Sequence, residues 1–109
     1  MKILISIVPK HDSQAVASIT GGGIIQFQTV IPGLGTATSE ILDYFCLGET
    51  DRDVILSLVD DNDIEPIFSD LKEKLDFLHS GRGVAFTISV DSISKLGYNF
   101  LYHKNSEDN

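Results

Sequence analysis

A chain of 109 residues with 42% hydrophobic content can build one compact domain with its own core, and is too short for two. Its formal net charge of −8 argues against nucleic acid or an anionic membrane as the main partner, because both call for a basic footprint. A small anion, which needs only local donors, stays compatible with that charge.

The single cysteine, Cys46, excludes an intramolecular disulfide and points to a reducing compartment. The apolar run that opens the chain is too short to span a bilayer, and no signal-peptide cleavage pattern follows it. A cytoplasmic location without membrane insertion is expected.

Lys2–Val8 reads as a central strand, with Ile3, Ile5 and Ile7 on one face and Leu4 and Val8 on the other. Pro9 ends it. Asp12 or Ser13 then caps a short helix through Ile19, with Ala15, Val16 and Ile19 on one side. Gly21-Gly22-Gly23 stops that helix. Ile24–Ile31 is a second strand with partial alternation.

A long loop follows from Pro32 to Thr50. Within it, Ser39 to Phe45 carries a cap and places Ile41, Leu42 and Phe45 at helical spacing, while Leu42, Tyr44 and Cys46 also fit strand alternation. So many apolar groups in a loop predict packing on another surface, a second subunit included.

Asp53–Val59 is a third strand, apolar on both faces. Asp63 is read as the cap of the clearest helix, whose stripe is Ile64, Ile67, Phe68, Leu71, Leu75 and Leu78; Pro66 sits in the first turn, where it is tolerated. Val84–Val90 is a fourth strand with Val84, Phe86, Ile88 and Val90 predicted inward, and Asn99–Lys104 fits a short fifth. The order is βαββαβ with a long loop between the second and third strands and a short C-terminal strand: an α+β, ferredoxin-like pattern. Residues 1–104 are expected to form this single domain and 105–109 a flexible tail. Central strands apolar on both faces predict one face under the helices and the other buried by oligomerisation.

Two glycine-flanked turns stand out as anion-binding candidates, Gly33-Leu34-Gly35-Thr36 and Gly81-Arg82-Gly83. Glycines let successive N–H groups converge, and Arg82 adds a bidentate donor. Neither is a P-loop or a dinucleotide fingerprint. For the second, a helix cap followed by a strand-entry glycine is an equal reading. The run Asp60-Asp61-Asn62-Asp63 lacks the glycine and distal glutamate of a calcium loop and is better explained as helix capping. Glu49, Asp51 and Asp53 are expected to be solvated, Cys46 to be a buried small residue, and Tyr44 to pack rather than be modified. His11, His79 and His103 lack any zinc spacing. No convergent acid/base set is visible, so no enzymatic activity is expected.

Taken together, the Lys-x-Ile-x-x-Ile-Val-like first strand, Gly33-Leu34-Gly35 with Thr36-Ala37 at the base of the long loop, and Gly81-Arg82-Gly83-Val84-Ala85-Phe86 opening the fourth strand resemble the P-II family of nitrogen regulatory proteins. The likeness runs over roughly residues 2 to 95 and is nearest to the P-II-like branch with a shortened loop. It implies a homotrimer that binds a small effector in clefts between subunits, often an adenine nucleotide (ATP, ADP or AMP), and that regulates a partner protein through the loop after the second strand. Carried over by position, the implied ligand-binding residues are Gly33, Gly35, Thr36, Gly81, Arg82 and Gly83, with Lys95 as a nearby cation. The implied partner-binding residues are Thr38, Ile41, Tyr44 and Phe45 within 36–50.

Several positions depart from the family. Arg82 and Val84 stand where its Gly-Asp-Gly-Lys-Ile-Phe motif has Asp and the phosphate-binding Lys. Its C-terminal Arg-Ile-Arg is missing, and Thr36-Ala37-Thr38 replaces its Arg-Gln-Lys. The alternative reading is therefore an interaction module on the same scaffold that has lost nucleotide binding, with no cofactor at all.

Overall fold

A computed structural model describes residues 1–33, 52–75 and 83–103. The chain begins with β1 (Lys2–Pro9), passes through a 3-10 turn at Lys10–Asp12 into α1 (Ser13–Thr20), and returns as β2 (Phe27–Gly33). β3 (Arg52–Val59) leads through a 3-10 turn at Asp61–Asp63 into α2 (Ile64–Leu75), followed by β4 (Val84–Ser89) and α3 (Lys95–His103). The strands form one antiparallel sheet in the order β2-β3-β1-β4, with β1 and β3 at its centre. This is the ferredoxin-like arrangement.

The period-2 pattern of the central strands explains the layers. Leu4 and Val8 of β1 and Ile55 and Val59 of β3 point to the helix side, where they are almost fully buried against Val16, Ile67 and Leu71. Ile3, Ile5 and Ile7 take the opposite face, in register with Leu58, Leu56 and Val54 of β3 and with Ile88, Phe86 and Val84 of β4. Phe27, Thr29 and Ile31 of β2 complete that face. Apart from Thr29 and, at the loop end, Arg52 opposite Gly33, this face is apolar. Phe27, Ile31, Phe86 and Ile88 on its edge strands remain 42–52% exposed.

One polar knot interrupts the helix-side core. Buried Ser57 donates to the Gln28 side-chain carbonyl at 2.8 Å, Thr20 donates to the same oxygen at 3.1 Å, and the Gln28 amide donates to the Ala17 carbonyl at 3.1 Å. Buried hydroxyls are tolerated when paired in this way, and the knot fixes the C-terminal end of α1 over β2 and β3.

Several expectations are corrected. Asn99–Lys104 is not a fifth strand; those residues up to His103 belong to α3. Ser94 starts the helix, its hydroxyl accepting the Gly97 N–H at 3.0 Å and its carbonyl the Tyr98 N–H at 2.9 Å. The rings of Tyr98 and Tyr102, one turn apart, then lie 4.7 Å from each other. Phe86 and Ile88 do not point into the core, because their register with Ile5 and Ile3 puts them on the open face; Ala85 takes the core side. In α1, Ala17 rather than Ala15 packs on the core.

Asp63 does not cap α2, since its carboxylate accepts the Ile24 N–H at 2.8 Å. Asp60 supplies the cap one turn earlier, accepting the Asn62 N–H at 3.0 Å. Asp53 is not solvated: it is buried, and Lys10 Nζ lies 4.0 Å away. Leu78, Cys46, Tyr44 and the possible helix at Ser39–Phe45 lie outside the described residues, as does the tail 105–109.

Candidate functional site

The expected ligand residues fall at one end of the sheet. β2 ends at Gly33, which stands opposite Arg52, and Arg52 in turn stands opposite Pro9. At the other edge, Ile7 pairs with Val84, so buried Gly83 enters β4 within one residue of the Gly33 level. The two glycines share an end of the sheet but occupy opposite edge strands. Three inter-strand steps of about 4.8 Å separate those edges by roughly 14 Å. Within one chain they therefore do not face each other across one small-ligand pocket.

Gly33 has extended rather than left-handed backbone. A Cβ placed there would meet Val54 Cγ2 at 3.6 Å and Arg52 Cγ at 4.0 Å, which is ordinary contact. Its own subunit therefore does not demand a glycine. Gly35, Thr36, Gly81, Arg82, Thr38, Ile41, Tyr44 and Phe45 lie outside the described residues. Lys95 is exposed at the first turn of α3. The other end of that helix is tied to Asp60 beyond Val59, at the end of the sheet away from Gly33 and Gly83.

Sequence reasoning passed over Arg52. It is 6% exposed, stands opposite Gly33 in the ladder and presents its stem beside that glycine. The neighbouring carboxylate, Asp53, points to the other face of the sheet, as successive strand residues must. The available signal was parity: Arg52 shares a face with Val54, Leu56 and Leu58, directly after the long loop.

The acidic run at 60–63 is spent on structure. Asp60 Oδ1 accepts the Tyr102 hydroxyl at 2.8 Å, Asp61 Oδ1 pairs with the Met1 ammonium at 3.0 Å, and Asp63 holds the backbone at Ile24. Three carboxylates thus tie α3, the N-terminus and the α1–β2 turn to the start of α2. The Tyr102 hydrogen bond, followed by the Asn62 backbone bond, lowers the Asp60 pKa below its ordinary 3.8. Partial burial, then the Asp60 bond, raises that of Tyr102 above its ordinary 10.0. A shallow cleft of about 290 Å³ lies nearby on the helix layer, bordered by Ile19, Gly23, Asp63, Pro66, Asp70 and Lys74. Among the described residues, no group of three or more His, Cys, Asp or Glu side chains is placed to hold a metal ion. No helix among them is long and apolar enough to cross a membrane.

No protein-family model and no curated protein matches the chain. Solved structures do match it, and they define it as a protein with the PII-like ferredoxin fold. One is CPII from Thiomonas intermedia K12 bound to ADP, AMP and acetate, with a TM-score of 0.66 and 14% identity over 87% of this chain and 90% of that one. A mutant of CutA1 from Pyrococcus horikoshii OT3 gives 0.63 and 14% over 95% and 97%. CPII bound to ADP, AMP and bicarbonate, described as a nitrogen regulatory PII-like protein, gives 0.59 and 18% over 85% and 94%.

Proposed function

We propose that this protein is a non-catalytic regulatory module of the PII-like type, acting in the cytoplasm. It binds a small anionic effector, an adenine nucleotide in the first instance, in clefts between the subunits of a homotrimer. It signals to a partner protein through residues 36–50, with Thr38, Ile41, Tyr44 and Phe45 as contacts.

The observation that carries this reading is the split site. Gly33 with Arg52 and Gly83 sit at one end of the sheet on opposite edges. Packing of the open apolar faces against one another sets the β2 edge of one copy beside the β4 edge of the next. Gly33, Gly35, Thr36 and Arg52 then line one wall and Gly81, Arg82 and Gly83 the other, with Lys95 as a further cation. The bound ADP and AMP named for CPII support an adenine nucleotide. A role in nitrogen metabolism rests on the description of that same protein.

One observation favours the second reading, an interaction module without nucleotide. Val84 stands where the family has its phosphate-binding lysine, and it is committed to the β1 ladder opposite Ile7 on the apolar face. A charge-assisted contact is worth about 1.5–3 kcal/mol, so the missing cations disfavour triphosphate most.

Thermal shift against AMP, ADP, ATP and bicarbonate, paired with light scattering, separates the readings. At a hundredfold excess over Kd a bound ligand adds about 2.7 kcal/mol of stability. A flat response from an assembled protein leaves the second reading, and a flat response from a monomer refutes both.

A further inference from the structure

We propose that the cleft between the end of α1 and the outer side of α2 is a docking site for an arginine side chain of a partner protein. The cleft lies on the helix layer, across the sheet from the open face, and the inference uses neither the subunit assembly nor the ligand chemistry of the reading above.

One stripe of side chains and one turn build the cleft. Asp63, Ile67, Asp70 and Lys74 follow at steps of four and three residues, so they share a side of the helix that begins at Ile64. Ile67 is buried and forms the floor, and Ile19 and Pro66 add apolar surface beside it. The last turn of α1 and the glycines that follow it form the other side. A Cβ at Gly23 would stand 2.5 Å from Asp63 Oδ2, and one at Gly22 would stand 3.3 Å from the Ser18 carbonyl oxygen. Side chains at these two positions would collide with the carboxylate and cover the carbonyl. The glycines therefore leave both acceptors open to the cleft.

The charged groups are placed but not used up. Asp63 Oδ2 accepts the Ile24 N–H at 2.8 Å, which fixes the carboxylate, and its Oδ1 has no partner among the described residues. Asp70 and Lys74 have the spacing of a helical ion pair, yet none closes between them, and neither has another ion pair among the described residues. The C-terminal end of α1 adds the negative pole of its dipole, which also favours a cation.

Shape and charge complementarity select the occupant. At about 290 Å³ the cleft is smaller than the roughly 300–1,000 Å³ of small-molecule sites, so it suits one anchoring side chain better than a whole ligand. Arginine lays an aliphatic stem on apolar surface and carries its donors in a planar fork, which serves a carboxylate and a backbone carbonyl together. Lysine presents a compact point charge instead. Lys74 repels a cation at its own end of the stripe, which seats the guanidinium towards Asp63 and Asp70. A net charge of −8 draws a basic partner towards the subunit.

The test titrates acetyl-Gly-Arg-Gly-amide into the isotope-labelled full chain at low salt, followed by heteronuclear NMR, with the citrulline and lysine counterparts alongside. Saturable shifts centred on the Gly22, Gly23 and Asp70 amides are expected for the arginine peptide, with a Kd on the order of 1 mM. The lysine peptide is expected to bind at least threefold more weakly, and the uncharged citrulline peptide not to bind. Asp70→Asn is expected to weaken arginine binding at least fivefold, and Lys74→Gln to tighten it at least twofold. Glu65→Gln makes the same charge change as Asp70→Asn on the far side of α2 and is expected to alter Kd less than twofold. Spectra outside the cleft check that each variant is folded. The absence of shifts up to about 20 mM peptide overturns the proposal. So do equal binding of the lysine or citrulline peptide, an unchanged Kd in Asp70→Asn or Lys74→Gln, and an equal loss in Glu65→Gln. None of these outcomes bears on the nucleotide and light-scattering experiment, which decides the reading above by itself.

Discussion

Phe86→Glu separates the two faces of the sheet. Phe86 stands opposite Ile5 on the β4 edge of the open face and keeps 42% of its surface exposed. A phenylalanine offers about 200 Å², so roughly 85 Å² remains for a partner to cover, worth about 2 kcal/mol at ~25 cal/mol per Å². Three equivalent sites in a trimer bring this to about 6 kcal/mol. Glutamate forfeits that burial and adds the desolvation of an unpaired charge, several kcal/mol per site.

The helix-side core lies across the sheet and is untouched by the substitution. The variant is therefore expected to be a folded monomer at micromolar concentration, with native circular dichroism and a melting temperature that no longer rises with protein concentration. Phe86→Leu is expected to keep the assembly. Sedimentation velocity with dilution-series melting reads both. A Phe86→Glu protein that sediments like wild type refutes the open face as the assembly surface. One that unfolds as a subunit refutes the assignment of Phe86 to that face.

Gln28→Ala removes the shared acceptor of Ser57 and Thr20, which lie 3.3 Å from each other and retain only that weak pairing. A loss of about 2 kcal/mol is expected from urea unfolding, and less than 0.5 kcal/mol contradicts the knot. Tyr102→Phe should speed amide exchange in α3 with little effect on the sheet. The pH dependence has a definite sign. The lowered pKa of Asp60 makes its contribution complete above the ordinary 3.8 and loses it as pH falls through the lower folded value. The raised pKa of Tyr102 makes its contribution complete below 10.0 and loses it as pH rises through the folded value. Protection of the α3 amides relative to intrinsic exchange should therefore be flat across neutral pH and fall below 3.8 in wild type, whereas Tyr102→Phe should be weakly protected throughout; identical acid profiles contradict the tether. Arg52→Ala should raise the nucleotide Kd read from a thermal-shift titration at least tenfold, equivalent to ~1.4 kcal/mol, and an unchanged titration removes Arg52 from the site.

The layers of the fold were legible because they depend on local periodicity. Strands with apolar residues on both faces, Lys2–Val8 and Asp53–Val59, must be covered on both faces, and the 3-4 stripe of Ile64–Leu71 must lie on one of them. The C-terminal segment was misread because tyrosine, phenylalanine and leucine at 98–102 suit a strand as well as a helix. Ser94 and the Tyr102–Asp60 bond, 42 residues apart in sequence, decide for the helix.

By itself, then, the sequence determined the two-layer sheet, its doubly apolar central strands and the glycines that end the second strand and precede the fourth. Those follow from side-chain period and backbone freedom within a few residues. Only the tertiary structure decided which face each edge residue joins, that Asp53 is buried, that Asp60 to Asp63 hold three segments together, and that Arg52 stands opposite Gly33. It also decided that Gly33 and Gly83 lie on opposite edges. Strand order and register arise from contacts between distant segments, and a one-residue change in register would send every side chain of a strand to the other face.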